Sequence, residues 1–215
     1  AVTVLTIFAG DPPSGPLSPF AHSLHVRWET GEEAVARRRE EDLKACARLL
    51  AVPWHFELPD CIYRRSPKTG EALYDSEASL GNSIHPHELS LVTALSEQFS
   101  DQPEGAQLVS PLAIGRHVDH RLVRAAAERS GRALLYYADY PYILQDPAGL
   151  EALIRSGWEP VGFPLPDTGL EAWQEAVAAY GSQISSFWSG TDEMRQAIEA
   201  YATSRWGLSL WRRPI

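Results

Sequence analysis

Cysteine is scarce. Cys46 and Cys61 are the two in 215 residues, too few for a disulfide framework, so reduced thiols in a cytoplasmic protein are expected. Long apolar runs are missing as well. No stretch approaches the roughly 18 consecutive apolar residues that would cross a bilayer, and no membrane partner is expected. Positive charge is in deficit: 19 Lys and Arg face 28 Asp and Glu, a net charge of -9. A phosphate backbone needs a basic face, so nucleic acid is not an expected partner. The dense basic runs are "RRREEDLK" and the C-terminal "WRRPI"; acids interleave the first, which reads as a solvated helix face. There is no internal repeat, no Walker-type P-loop, no G-x-G-x-x-G and no signal-peptide pattern. Met194 is the one methionine. The chain opens straight into "AVTVLTIFAG", so a processed, trimmed or fragmentary product is expected.

What is present suits a folded domain. The chain is 44% hydrophobic, enough for a substantial core, and its length fits one domain over 1–215. Val2 to Phe8 reads as a buried strand. A Pro/Gly/Ser loop follows over 10–19, then a short helix in "FAHSLHVRW". "TGEEAVARRREEDLKACARLLAV" predicts a helix with a capping box at Thr30 and Glu33. Its packing side is assigned to Ala34, Ala36, Leu43, Ala45, Ala47, Leu49 and Leu50. "WHFEL" reads as a strand closed by Pro59 and Asp60. "CIYRRSPKTGEALYD" is irregular, with a turn at Lys68–Gly70. "HPHELSLVTALSEQF" predicts a helix, "AQLVSPLAI" and "RALLYYAD" strands. From about 147 to 205 the chain reads as mostly helical, with "SGWEPVGFPL" a strand or extended linker.

Strands alternating with helices imply a parallel sheet covered on both faces, with functional residues at the carboxyl ends of its strands. Asp11, Asp60, His117, Asp119, His120 and Asp139 all fall just after predicted strands. "GRHVDHRLV" stands out. His-x-Asp-His at a helix start after a Gly-containing loop suits metal or acid–base chemistry, or merely caps the helix. The pairs His22/His25 and His85/His87 have no third ligand at metal spacing and read as packing or loop residues. Tyr140 and Tyr142 flank Pro141 at a strand end and are placed as site-lining residues. Trp173, Tyr180, Phe187 and Trp188, at near-helical spacing, are assigned to the core.

In order along nearly the whole chain, these segments resemble the LmbE-like, or PIG-L-type, zinc-dependent N-acetyl-sugar deacetylases. "VTVLTIFAGDPP" resembles that family's second strand and loop, "RRREEDLKACARLL" its Arg-x-x-Glu helix through Arg38 and Glu41, and "ELPD" its strand-end acidic position at Asp60. "IGRHVDHRLV" resembles its His-Pro-Asp-His segment, with Val118 for Pro, and "YYADYPY" and "YGSQI" resemble later segments. The resemblance implies a three-layer, Rossmann-like α/β sandwich with a mostly parallel sheet. It implies a metal-dependent amidohydrolase acting on an N-acyl amino sugar or sugar conjugate.

By the same resemblance His120 is a zinc ligand and His117 faces the scissile carbonyl, with Asp119 orienting it. Arg38 and Asp60 hold sugar hydroxyls, for which a guanidinium and a carboxylate both offer two-point hydrogen bonding. Read without the resemblance, Arg38 is a helix-surface ion pair and Asp60 a capping residue. The family's Ala-His-Pro-Asp-Asp element has no counterpart here. The N-terminal βα unit carrying it is expected to be missing, with the remaining zinc ligands outside the chain. The chain alone is then expected to be inactive, and unpaired strand edges predict a homo-oligomer or poor solubility. The alternatives are a sugar-binding paralogue that has lost its metal site, or an α/β interaction protein in which His-x-Asp-His caps a helix.

Overall fold

The computed structural model describes residues 1–214. Its first half runs β1 (Thr3–Thr6), α1 (Pro19–Arg27), α2 (Ala34–Arg48), β2 (Val52–His55), α3 (Glu77–Leu80), α4 (Leu89–Ser100), β3 (Leu108–Pro111) and α5 (Val118–Arg129). There follow β4 (Leu134–Tyr137), α6 (Pro147–Arg155), β5 (Glu159–Gly162), α7 (Asp167–Ala178), α8 (Gly181–Ile184), α9 (Thr191–Ala202) and β6 (Ser209–Arg212). The fold is mixed α/β, with parallel strand pairing as expected. It divides into two compact units. One holds Ala1–Arg65 and Pro164–Leu208, and the other Ser66–Phe163 with the segment from Ser209.

In the first unit β1 and β2 pair in parallel, Thr6 opposite His55. The crossover between them carries α1 and α2. Gly10 continues the approach, donating to the Leu58 carbonyl at 2.9 Å. A Cβ at Gly10 would lie 2.4 Å from the Glu57 carbonyl, so no larger residue fits there. On α9, Met194, Ile198 and Ala202 recur every four residues and are buried, the spacing of one helix face.

The second helix corrects the reading of its sequence. No side-chain bond caps it at Thr30. A turn of 3₁₀ helix over Gly31–Glu33, begun at a left-handed Gly31, precedes it instead. Leu43, Leu49 and Leu50 face outward, Leu50 at 91% exposure, as do Ala36 and Ala47. The inward face is Ala34, Val35, Ala45 and Cys46 together with two carboxylates, Glu41 and Asp42, each 5% exposed. The acidic run is therefore not wholly a solvated face. Glu41 accepts from the Ser182 amide (2.9 Å) and hydroxyl (2.6 Å), so the burial of charge is matched by hydrogen bonds. The first strand is also less enclosed than expected, with Val2 at 66% exposure.

In the second unit the strand order is β3-β4-β6-β5. Strands β3 and β4 are parallel, whereas β6 pairs antiparallel with both β4 and β5. The segment Ser209–Arg212, which overlaps the C-terminal basic run, is thus a sheet strand, with Trp211 fully buried. Helix α5 packs on β3 and against α4. Its Val118, Leu122 and Ala126 are completely buried at four-residue spacing. No helix among the described residues is long and apolar enough to cross a membrane.

Candidate active site

In the second unit, the turn between β3 and α5 delivers the histidine motif to the carboxyl end of the strand. Ala113 (φ 55°) and Arg116 (φ 59°) hold left-handed backbone conformations there, which cost L-residues about 1 kcal/mol each. His117 is the N-cap of α5, its Nδ1 accepting the Asp119 amide N–H at 3.3 Å. With Nδ1 accepting, the proton of a neutral His117 ring sits on Nε2. Asp119 is 5% exposed, and one of its carboxylate oxygens lies within 4.8 Å of a His117 ring nitrogen.

His120, one turn on, contacts a buried carboxylate. Its Nδ1 lies 2.5 Å from Asp139 Oδ1. Asp139 follows β4 and is 1% exposed, and its other oxygen accepts the Ile114 amide N–H at 3.0 Å. A carboxylate accepts only, so Nδ1–H donates and Nε2 keeps its lone pair while the ring is neutral. A histidine fixed this way, one nitrogen donating to a buried carboxylate and the other open, is the arrangement of metal-bound imidazoles. The side chain is 33% exposed. Tyr142 packs its ring edge-on at 5.9 Å from the His120 ring, and His117 lies 5.6 Å from it. Gly115 makes room: a Cβ there would sit 2.6 Å from Tyr142 Cβ.

The second unit therefore gathers His117, Asp119, His120 and Tyr142. Asp139 was visible in sequence only as one of several acids after strands. Its partnership with His120 spans 19 positions, and no local pattern encodes it.

The first unit gathers Arg38 and Asp60. The Arg38 guanidinium lies 3.9 Å over the Trp28 ring, and Nη2 donates to Gln183 Oε1 at 2.9 Å. Its Nη1 is 3.8 Å from Asp60 Oδ2, and its buried Nε has no hydrogen-bond partner among the described residues. Asp60 also caps the 3₁₀ turn Cys61–Tyr63 through Oδ1, accepting the Ile62 amide at 3.2 Å. Both residues line a cavity of about 220 Å³. So does Tyr180, which departs from its core assignment. It donates its hydroxyl to Asp42, and burial, then that bond, raises its pKa well above the usual phenol range.

In each remaining histidine pair one ring has a structural role, His25 in the first and His85 in the second. His25 is 3% exposed, with Nδ1 donating to the Gly31 carbonyl and Nε2 accepting from Tyr63 Oη, each at 2.6 Å. Burial, above all, lowers its pKa. His85 caps the turn Pro86–Glu88 by accepting from the His87 amide.

No family model matches the chain. Two curated relatives do, both 2'-N-acetylparomamine deacetylases. That of Niallia circulans is 30% identical over 58% of this chain and 45% of its own length. That of Streptomyces fradiae is 30% identical over 84% of this chain and 63% of its own. The chain thus spans less than two thirds of the length of either relative. A solved deacetylase–teicoplanin complex is 25% identical with a TM-score of 0.76, over 98% of this chain and 86% of that one. The zinc-inhibited form of teicoplanin deacetylase Orf2 is 23% identical with a TM-score of 0.71, over 98% and 85% of the two chains. At that identity the second likeness speaks for the fold.

Proposed function

We propose that this chain is catalytic-domain sequence of a metal-dependent deacetylase that hydrolyses the N-acyl group of an amino sugar or sugar conjugate. The geometry of His120 carries the reading: an accessible imidazole whose Nδ1 is tied to a buried carboxylate and whose Nε2 is open. The deacetylases among its relatives support the reaction class.

His120 Nε2 fits one coordination position of a zinc ion. Bound zinc supplies a polarised amide carbonyl and a water acidified toward a pKa of about 7. Asp139 keeps the His120 ring in the tautomer and orientation that leave Nε2 free. His117, with its proton on Nε2, donates a hydrogen bond to the carbonyl oxygen as charge develops there, while the attacking water supplies the hydroxyl of acetate and the proton of the free amine as the C–N bond breaks. Asp119 lies beside that ring and holds its orientation. Tyr142 walls the His120 ring. Arg38 and Asp60, whose Nη1 and Oδ2 stand 3.8 Å apart at the cavity wall, bind ring hydroxyls.

The test is metal analysis of the full-length parent protein beside its His120→Ala variant, with acetate release from N-acetylglucosamine conjugates. Zinc lost together with acetate release in the variant is the expected result. Unchanged metal content would refute the assignment of His120, and sugar binding without metal or hydrolysis would favour the paralogue reading.

A further inference from the structure

The first unit holds a second carboxylate–histidine pair. Asp42, buried on α2, accepts from three donors. These are Thr6 Oγ1 at 3.1 Å, His55 Nε2 at 2.7 Å and the Tyr180 hydroxyl. The parallel register sets Thr6 beside His55, so both reach one carboxylate. With Nε2–H committed to Asp42, the His55 lone pair sits on Nδ1 while the ring is neutral. Among the described residues no hydrogen bond to that nitrogen occurs, and His55 lines the 220 Å³ cavity with its side chain 20% exposed.

We propose that His55, oriented by Asp42, is a ligand-contacting specificity residue of a one-ring sugar subsite in this cavity. The inference rests on the reading of Arg38 and Asp60 as hydroxyl contacts and adds a third group to them. The open polar atoms are complementary in kind. Arg38 donates, Asp60 Oδ2 accepts, and His55 Nδ1 accepts. A ring with neighbouring hydroxyls meets all three, because each hydroxyl donates once and accepts as well. Phe8, Val35 and Tyr63 give apolar wall against which the C–H face of a ring packs. A volume of 220 Å³ equals about seven waters, room for a single ring rather than a whole conjugate. Asp42 already accepts from three protein donors. It acts through His55 and is a positioning residue.

Two substitutions separate contact from scaffolding. In His55→Gln the side-chain amide reaches the Nε2 position and keeps the Asp42 bond, while the Nδ1 acceptor is gone. The full chain and this variant are titrated with glucosamine and N-acetylglucosamine by saturation-transfer NMR and calorimetry. Expected is about fivefold weaker binding, the effect of one hydrogen bond of about 1 kcal/mol. The melting temperature stays within about 2 °C. In His22→Gln, an exposed histidine outside the cavity lining, sugar affinity is expected to stay at the wild-type value. Unchanged affinity in His55→Gln overturns the proposal, as does absence of binding of either sugar to the unaltered chain. Sugar binding weakened by His55→Gln in a protein that holds no zinc and releases no acetate would keep this subsite and remove the deacetylase reading. Acetate release with KM unchanged in His55→Gln would do the reverse.

Discussion

Two histidines in this protein lean on two buried aspartates, and they lean in opposite senses. His120 uses Nδ1 toward Asp139 and leaves Nε2 open. His55 uses Nε2 toward Asp42 and leaves Nδ1 open. The carboxylates differ more than the rings do. Asp139 is shared between one imidazole and one backbone amide, of Ile114. Asp42 is shared among an imidazole, a threonine and a tyrosine. The first aspartate thus serves mainly to aim a ring, whereas the second ties two strands, a helix and the start of α8 together. Which nitrogen is left open decides what each ring can do, because Nε2 at the tip of the imidazole reaches further than Nδ1 beside the Cβ.

The comparison breaks first at Asp42. Asp42→Ala strands three donors in a part-buried site, and a loss of about 2–4 kcal/mol is expected in urea-unfolding midpoints. Asp139→Asn tests the other side. Here zinc affinity, measured against a competing chelator, is expected to fall about 10- to 100-fold. Equal stability losses in both variants, with no metal effect, would erase the distinction between an aiming and a tying carboxylate.

His25 sharpens it as a histidine with no open nitrogen. Burial lowers its pKa below the ordinary 6.5, so the folded chain binds its proton less readily than the unfolded chain does. Its stabilising contribution is present above pH 6.5 and is lost as pH falls below that value. Chemical-denaturation midpoints measured downward from pH 7 should therefore show a decline that His25→Asn lessens. A parallel decline in the variant would assign the slope to other groups.

Much of this was legible along the chain. The strands from "AQLVSPLAI" and "RALLYYAD" and the cap of α5 by His117 follow local patterns of alternation and capping. Asp42 and Glu41 were not legible, because acids amid arginines look solvated until distant Ser182, Tyr180 and His55 supply their donors. Strand β6 was hidden for a related reason. Its "SLWR" is too short and too basic to announce itself, and only pairing with β4 and β5 makes it a strand. The outward Leu43, Leu49 and Leu50 were misassigned because the inward face they were expected to fill belongs to those carboxylates. Partnerships across tens of residues, such as His120 with Asp139, lie beyond any short pattern.

The most direct test of the account is the nitrogen chemistry of His120. Histidine-¹⁵N NMR of the protein during zinc titration, assigned with His120→Ala, reports each ring nitrogen separately. The account predicts that Nδ1 stays protonated, held by Asp139, while the Nε2 resonance moves to a metal-bound position. Coordination through Nδ1, or a His120 ring indifferent to zinc, would contradict it.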